Sequence, residues 1–480
     1  MTRGSAVAAG DTATVAAATA VLAAGGTAVD AAVAAGFAGA VAEPGLTSLG
    51  GGGFLLVRPL DGPAVLLDFF VDVPGRGRPP DHPGRARPET IHYPAADQTF
   101  GVGAGSVAVP GCLAGYLHAH ARWGRLPLAE VLAPAADAAR AGVRLAPGSA
   151  EVLGLVSGLL TYAPDGAQLY EPLGRPARAG DVHTNPAYAD FLDALADGQF
   201  RGGFADPALS APLVSRMDAE DGWLTAADLA AYQVVERSPV RFELGDHTVL
   251  TNCPPSFGGE LVRLGLRALA DGADLPTALA MISDRATIDG LRAVHGTTHV
   301  SVADGDGTVV AMTTSTGTCS GVLVPGTGIQ LNNMMGESDL VPDARAWRPG
   351  TRVGSMMAPT VLAGPRRVVA VGTGGSERIR SALTQVVARL VAGETLEQAV
   401  LAPRLHWDGS RFQAEPGLPE EVLAAVGDAP LRVWPARNLY FGGTHAVAVD
   451  APGVGDGAGV EAVGDPRRSG HGVVLGAQAH

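Results

Sequence analysis

The residues with the most chemical promise lie in the run Gly296-Thr297-Thr298-His299-Val300-Ser301-Val302. On its own a Thr-Thr-His triplet is an ordinary strand segment, since β-branched residues favour extended backbone. Its surroundings add more. Residues 297–303 alternate as a strand, Asp304-Gly305-Asp306-Gly307 is a strong hairpin signal, and Thr308 to Ser315 reads as the returning strand. A turn centred near 305–306 places Thr297 opposite Thr314 or Ser315, so register alone sets a second hydroxyl beside it. Further on, a strand from Arg367 to Val371 runs into Gly372-Thr373-Gly374-Gly375-Ser376, a loop whose backbone N–H groups could hold an oxyanion.

Other chemistries are poorly served. No serine sits in a G-x-S-x-G elbow, and no H-E-x-x-H exists. His118-Ala119-His120 has no third ligand nearby and reads as a solvated helix feature. The run Gly50 to Gly53 does not match a dinucleotide fingerprint, and no strand precedes it. The chain contains no lysine, so Schiff-base chemistry on a lysine is excluded. No metal and no cofactor is expected. The net charge of −14, with no run of arginine, argues against a nucleic-acid partner. A small-molecule substrate is the expected partner. Cys112, Cys253 and Cys319 are far apart and form no C-x-x-C pair, which points to a reduced, cytoplasmic setting. The Ala-rich start is broken by Asp11, Gly25-Gly26 and Asp30, unlike a signal peptide. No stretch reaches the roughly 18 apolar residues of a membrane span.

The elements that must position these groups are legible in outline. Residues 13–24 and 28–42 read as two Ala-rich helices, close-packed inside the body, with Gly25-Gly26 stopping the first. Strands follow at 54–57 and about 64–69, then a Pro- and Gly-punctuated loop over 74–94. Helices are expected near 112–122, 128–141, 260–271, 379–392 and 396–401. Thr225 is a plausible N-cap, with Asp228 in the capping-box position. Short strands and a glycine-rich acidic loop near 451–459 close the chain. Strand groups separated by long helices indicate an α/β class with a layered core.

At this point a resemblance is plain. From about Ala6 to about Arg468 the chain resembles the gamma-glutamyltranspeptidase family of N-terminal nucleophile hydrolases. The matching segments include Gly25 to Val33, Leu49 to Phe54, Val109-Pro110-Gly111, Leu229 to Tyr232 and Pro254 to Gly259. They continue with Thr297-Thr298-His299, Gly328 to Asn333, Met357 to Thr360 and Asp465-Pro466-Arg467. Several motifs in the family's order are far more specific than any one alone. The resemblance implies a four-layer αββα sandwich. It also implies self-cleavage between Gly296 and Thr297, giving a large subunit (1–296) and a small one (297–480) that form a heterodimer from one zymogen. The freed α-amino group of Thr297, with an unperturbed pKa of roughly 7.7–8.0, can then serve as the base that a threonine hydroxyl needs.

By the same resemblance, Ser315 supplies the second hydroxyl. The oxyanion-hole amides fall on the 374–376 loop, as Gly375 with Ser376 or as Gly374 with Gly375. Ser355 aligns with a carboxylate-binding serine. Glu337 aligns with an acid that binds the substrate amino group, one methylene longer than the usual Asp. The recognition shell departs from the family. Phe70 stands where a carboxylate-binding Arg is usual, Met334 where a Gln is, Met356 where a second serine is, and Gly317 where an Asn is. The segment from Gly259 to Thr297 is also much shorter than usual. Arg76 and Arg78 are the nearest substitutes for the missing Arg, although exposed-loop roles suit both better. The implied activity is therefore a hydrolase or acyltransferase acting on a small amino-acid-like substrate, with glutathione not the main donor. One alternative keeps the nucleophile but cleaves a carbon–carbon bond, removing an oxalyl group in bacterial antibiotic biosynthesis of the 4-alkylproline type. The other is an unprocessed, inactive binding homologue.

Overall fold

A computed structural model describes residues 4–79, 81–93, 97–288, 296–337, 348–451, 454 and 459–476, without the side chains of 285–288. The glycine-rich acidic stretch over 451–459 lies largely outside the described residues.

Two antiparallel sheets stack face to face. The first has seven strands, in the spatial order His471–Leu475, Ser5–Ala9, Thr297–Ala303, Val309–Ser315, Gly52–Arg58, Val65–Phe69 and Val235–Arg237. The second has six, in the order Val460–Val463, Gly443–Asp450, Arg367–Gly374, Thr360–Ala363, His247–Thr251 and Val240–Leu244. Strand alternation assigns the faces. Val300, Val302, Val310 and Met312 point outward, into a core shared with the Ala-rich helices Thr12–Ala23 and Ala28–Ala42. Ala303, Val309 and Ala311 point inward, into a second core with Val361, Val369 and Val447 of the six-stranded sheet. The same core reaches Val262, Leu383 and Val387 on helices Gly258–Ala270 and Arg378–Val391, which cover the far side. The layering is thus αββα, as the family resemblance implies.

The helix Ala28–Ala42 is buried at every residue but Ala40, and small side chains let it approach the sheet closely. Thr27 and Asp30 form a reciprocal capping box at its start. The expected box at Thr225 and Asp228 is also present. One expectation is corrected. The segment read as loop over 74–94 contains a strand, Arg87–His92, paired with Asp97–Val102. Its Arg-Pro-Glu sequence has poor β propensity, and cross-strand pairing overrides it. The strand Ser5–Ala9 also carries little sequence signal, since alanine is a weak strand former.

Candidate active site

Thr297 opens a central strand of the seven-stranded sheet, and the observed register pairs it with Ser315 rather than Thr314. Residues 297, 299, 301 and 303 share the inward face by alternation, so both hydroxyls lie between the two sheets. Thr297 Oγ1 is buried without a hydrogen-bond partner among the described residues. A buried polar group without a partner costs stability, and a reacting hydroxyl is one reason for it to persist. Ser315 Oγ donates to the carbonyl of Gly296 and accepts from the Gly317 amide at 3.0 Å. The Gly296–Thr297 peptide is therefore flanked by two hydroxyls. A Cβ at Gly296 would lie 2.0 Å from the Gly317 carbonyl oxygen and 2.6 Å from that of Gly45, so only glycine fits there.

The loop after the strand Arg367–Gly374 faces this peptide from the six-stranded sheet. Gly374 still belongs to the ladder, opposite Gly443, and a Cβ on it would sit 2.1 Å from the Thr297 carbonyl oxygen. Gly375 and Ser376 follow with φ of +126° and +61°. Neither amide has a backbone acceptor among the described residues. Ser376 Oγ is likewise buried without a partner among the described residues. Left-handed backbone at a non-glycine residue is strained, and such strain tends to collect at functional sites.

The expected recognition residues fall into three groups. Phe70 and Met334 belong to the core between the sheets, with Phe70 stacked on Phe54 at 5.6 Å. Glu337 is buried, and its Oε1 accepts from the Thr318 amide at 3.2 Å. A Cβ at Gly317 would meet Asn333 Oδ1 at 2.3 Å and Glu337 Oε1 at 2.6 Å. The longer acid at 337 thus occupies space that a side chain at 317 would need. Ser355 Oγ accepts from the Met357 amide at 3.0 Å. Met356 lies apart, in a separate apolar cluster with Leu261, Leu279 and Phe412. Arg78 is paired with Asp218 at 2.6 Å and Arg76 with Asp228 at 3.9 Å. His118 and His120 bond to Glu236 at 3.1 Å and to the Leu126 carbonyl at 2.8 Å.

Three charged residues at the site went unread in the sequence. Glu43 lies behind the strand, accepting from Thr14 at 2.8 Å and from Thr298 at 2.5 Å. Burial raises its pKa to about 7. It is the lone acid at the end of a long apolar helix, which was the available signal. Arg468 donates from Nη1 to the Thr297 carbonyl at 3.1 Å. Arg378 follows the glycine loop at the start of its helix. No local pattern marked either arginine. His299, by contrast, is buried between Thr313 (2.7 Å) and Ser301 (2.9 Å), and desolvation holds its pKa well below the usual value. It is a neutral packing histidine.

Comparison with known proteins agrees with this architecture. The gamma-glutamyltranspeptidase family model matches residues 14–287 and 270–475. The chain is 31% identical to the acylase ACY 1 proenzyme of Pseudomonas sp. (strain SE83), over 91% of this chain and 88% of that one. It is 28% identical to a glutathione hydrolase proenzyme of Pseudomonas aeruginosa, over 95% and 92%. A cephalosporin acylase from Bacillus halodurans has a similar fold, with a TM-score of 0.82 at 23% identity, covering 100% of this chain and 97% of that one. With its sheets, its layers and the match over nearly the whole sequence, the chain belongs to the gamma-glutamyltranspeptidase family and is an enzyme of the N-terminal nucleophile hydrolase type.

Proposed function

We propose that the protein is an acylase that cuts its own chain between Gly296 and Thr297 and then uses Thr297 to hydrolyse an amide. The observation that carries this reading is the pairing of Thr297 with Ser315 across the hairpin, with an unpartnered buried Oγ1 on one and the Gly296 carbonyl held by the other. In processing, Thr297 Oγ1 attacks the Gly296 carbonyl carbon while Ser315 stabilises the developing oxyanion. The peptide bond becomes an ester, which water hydrolyses. The freed α-amine then takes the proton of Oγ1 when the hydroxyl attacks a substrate carbonyl, and returns it to the departing amine. A second water releases the acyl group. The Gly375 and Ser376 amides, which lack backbone acceptors, are the best placed to hold the substrate oxyanion. The similarity to an acylase supports amides as the substrate class.

N-terminal sequencing of the smaller fragment tests the reading, with Thr-Thr-His as the expected start. Thr297→Ala should give one intact, inactive chain, and an active uncut protein would defeat the mechanism.

The same reading makes gamma-glutamyl compounds poor donors. Phe70 and Met334 offer apolar surface where the family's pattern has polar partners for the glutamyl carboxylate and amine. A carboxylate left without its charged partner costs several kcal/mol, or roughly a thousandfold in kcat/KM. Steady-state turnover of a gamma-glutamyl anilide beside a pentanoyl anilide decides this, and faster gamma-glutamyl turnover would refute it.

A further inference from the structure

Two guanidinium groups flank the glycine loop, and neither has a carboxylate within ion-pair distance among the described residues. Arg468 Nε donates to the carbonyl of Leu439 at 3.4 Å, and Arg378 Nε to that of Tyr440 at 3.0 Å. Docking on successive carbonyls of one turn sets the two side chains next to each other. It leaves both terminal nitrogens of Arg378, whose guanidinium lies over the Tyr440 ring at 4.8 Å, and Nη2 of Arg468 without hydrogen-bond partners among the described residues. Both side chains are only half-buried, so those donors can reach a ligand.

The pair is held in place at some cost. Arg378 occupies the first turn of its helix, where the backbone dipole disfavours a cation, and Glu377 at the N-cap is the acid nearest to it in sequence. Arg468 ends a turn, Pro466–Arg468, anchored by the buried ion pairs of Arg467 with Glu415 at 2.5 Å and of Arg404 with Asp465 at 2.6 Å. A Cβ at Gly374 would lie 3.0 Å from Arg468 Nη1, and one at Gly375 would lie 3.6 Å from Arg378 Cβ. The Arg468 guanidinium and the base of the Arg378 side chain therefore both lie against the loop that faces Thr297. The Tyr93 phenol, whose pKa burial raises, lies within electrostatic reach of Glu337 and of both arginines. Two like charges kept together, neither in an ion pair among the described residues, favour the arrival of an anion, and paired guanidinium forks match a carboxylate.

We propose that Arg378 and Arg468 form a receptor for a carboxylate carried by the substrate, beside the bond that Thr297 attacks. The proposal rests on the acylase reading above and deepens it. Phe70 leaves the acyl side without a carboxylate partner, so the carboxylate is placed on the leaving amine, and the glutaryl pair serves as the acyl-side control. Glutaryl 4-nitroanilide is compared with pentanoyl 4-nitroanilide, and 4-(pentanoylamino)benzoate with the corresponding benzamide. The benzoate should exceed its neutral twin in kcat/KM by about tenfold or more, the scale of a charge-assisted hydrogen bond. In the Arg378→Gln, Arg468→Gln double variant that ratio should fall to near one, while lysine at both positions should keep part of it. Equal turnover of benzoate and benzamide, a preference confined to the glutaryl pair, or a preference that survives the double substitution would overturn the proposal. If no amide is cleaved, the acylase reading fails by itself, and calorimetric titration with 4-aminobenzoate decides the receptor. Binding that weakens about tenfold or more in the glutamine variant supports it. Absent or unchanged binding rejects it.

Discussion

At the scale of single residues, the site is a set of hydroxyls and amides brought to one peptide bond. Ser315 has the most exposed role to test. Its hydroxyl holds the Gly296 carbonyl and so stabilises the oxyanion of processing, and once that carbonyl has left, its place opposite Thr297 lets it assist the threonine oxygen in turnover. Ser315→Ala should slow both by on the order of a hundredfold, the typical effect of losing a donor to a reacting oxygen. The two rates can be followed separately, by gel for processing and by amide hydrolysis for turnover. A variant that matures and turns over at the normal rates would mean that Ser315 only packs. Glu337 and Gly317 show how changes in the recognition shell are coupled, since the longer acid and the missing side chain share one space.

At the scale of elements, a strand of alternating face carries two different environments. Thr297, His299 and Ser301 face the other sheet, whereas Thr298 faces the Ala-rich helix layer and Glu43. Glu43 is wholly buried, and its pKa rises from 4.5 to about 7 because burial penalises its charged form. The folded state therefore holds the proton more tightly than the unfolded chain. Stability from this group is fully present below pH 4.5 and is lost as pH rises to about 7. The shift from 4.5 to about 7 corresponds to a loss of about 3 kcal/mol at most. Glu43→Gln removes the titration. Urea unfolding of the wild type and of this variant at pH 4.5 and pH 8 should show the variant gaining relative stability at the higher pH. A difference between the two that does not change with pH would mean that Glu43 is paired or hydrated in solution.

At the scale of the whole molecule, the two expected fragments are interleaved. Ser5–Ala9 of the large fragment is hydrogen-bonded on one side to Thr297–Ala303 and on the other to His471–Leu475, both from the small one. The large fragment also supplies two strands, Val240–Leu244 and His247–Thr251, to the six-stranded sheet. Separation would break both sheets and open the core between them, so cleavage should leave a heterodimer. The fragments should co-elute on gel filtration in native buffer and part only in denaturant. Elution of a free small fragment without denaturant would contradict this sheet order.

Local sequence determined the parts whose cause is local. The Asp304 to Gly307 turn set the hairpin, and period-two alternation put Thr297 and a hydroxyl on one face. The expected helices end within a residue or two of the bounds read from sequence, whereas Pro147–Leu160, Pro186–Ala196 and Pro207–Ala219 were not anticipated. The glycine loop after the strand at 367–374 was visible because few other residues tolerate its backbone. Tertiary structure alone decided what lies around those parts. Ser315 rather than Thr314 became the partner through one step of register. Met356 turned to a different apolar cluster from Phe70 and Met334. Glu43 meets Thr298 across 255 residues of sequence, and Arg468 meets Thr297 across 171. Pairings at that separation leave no trace in propensity or spacing, because they arise when whole layers stack and bury their inner faces together.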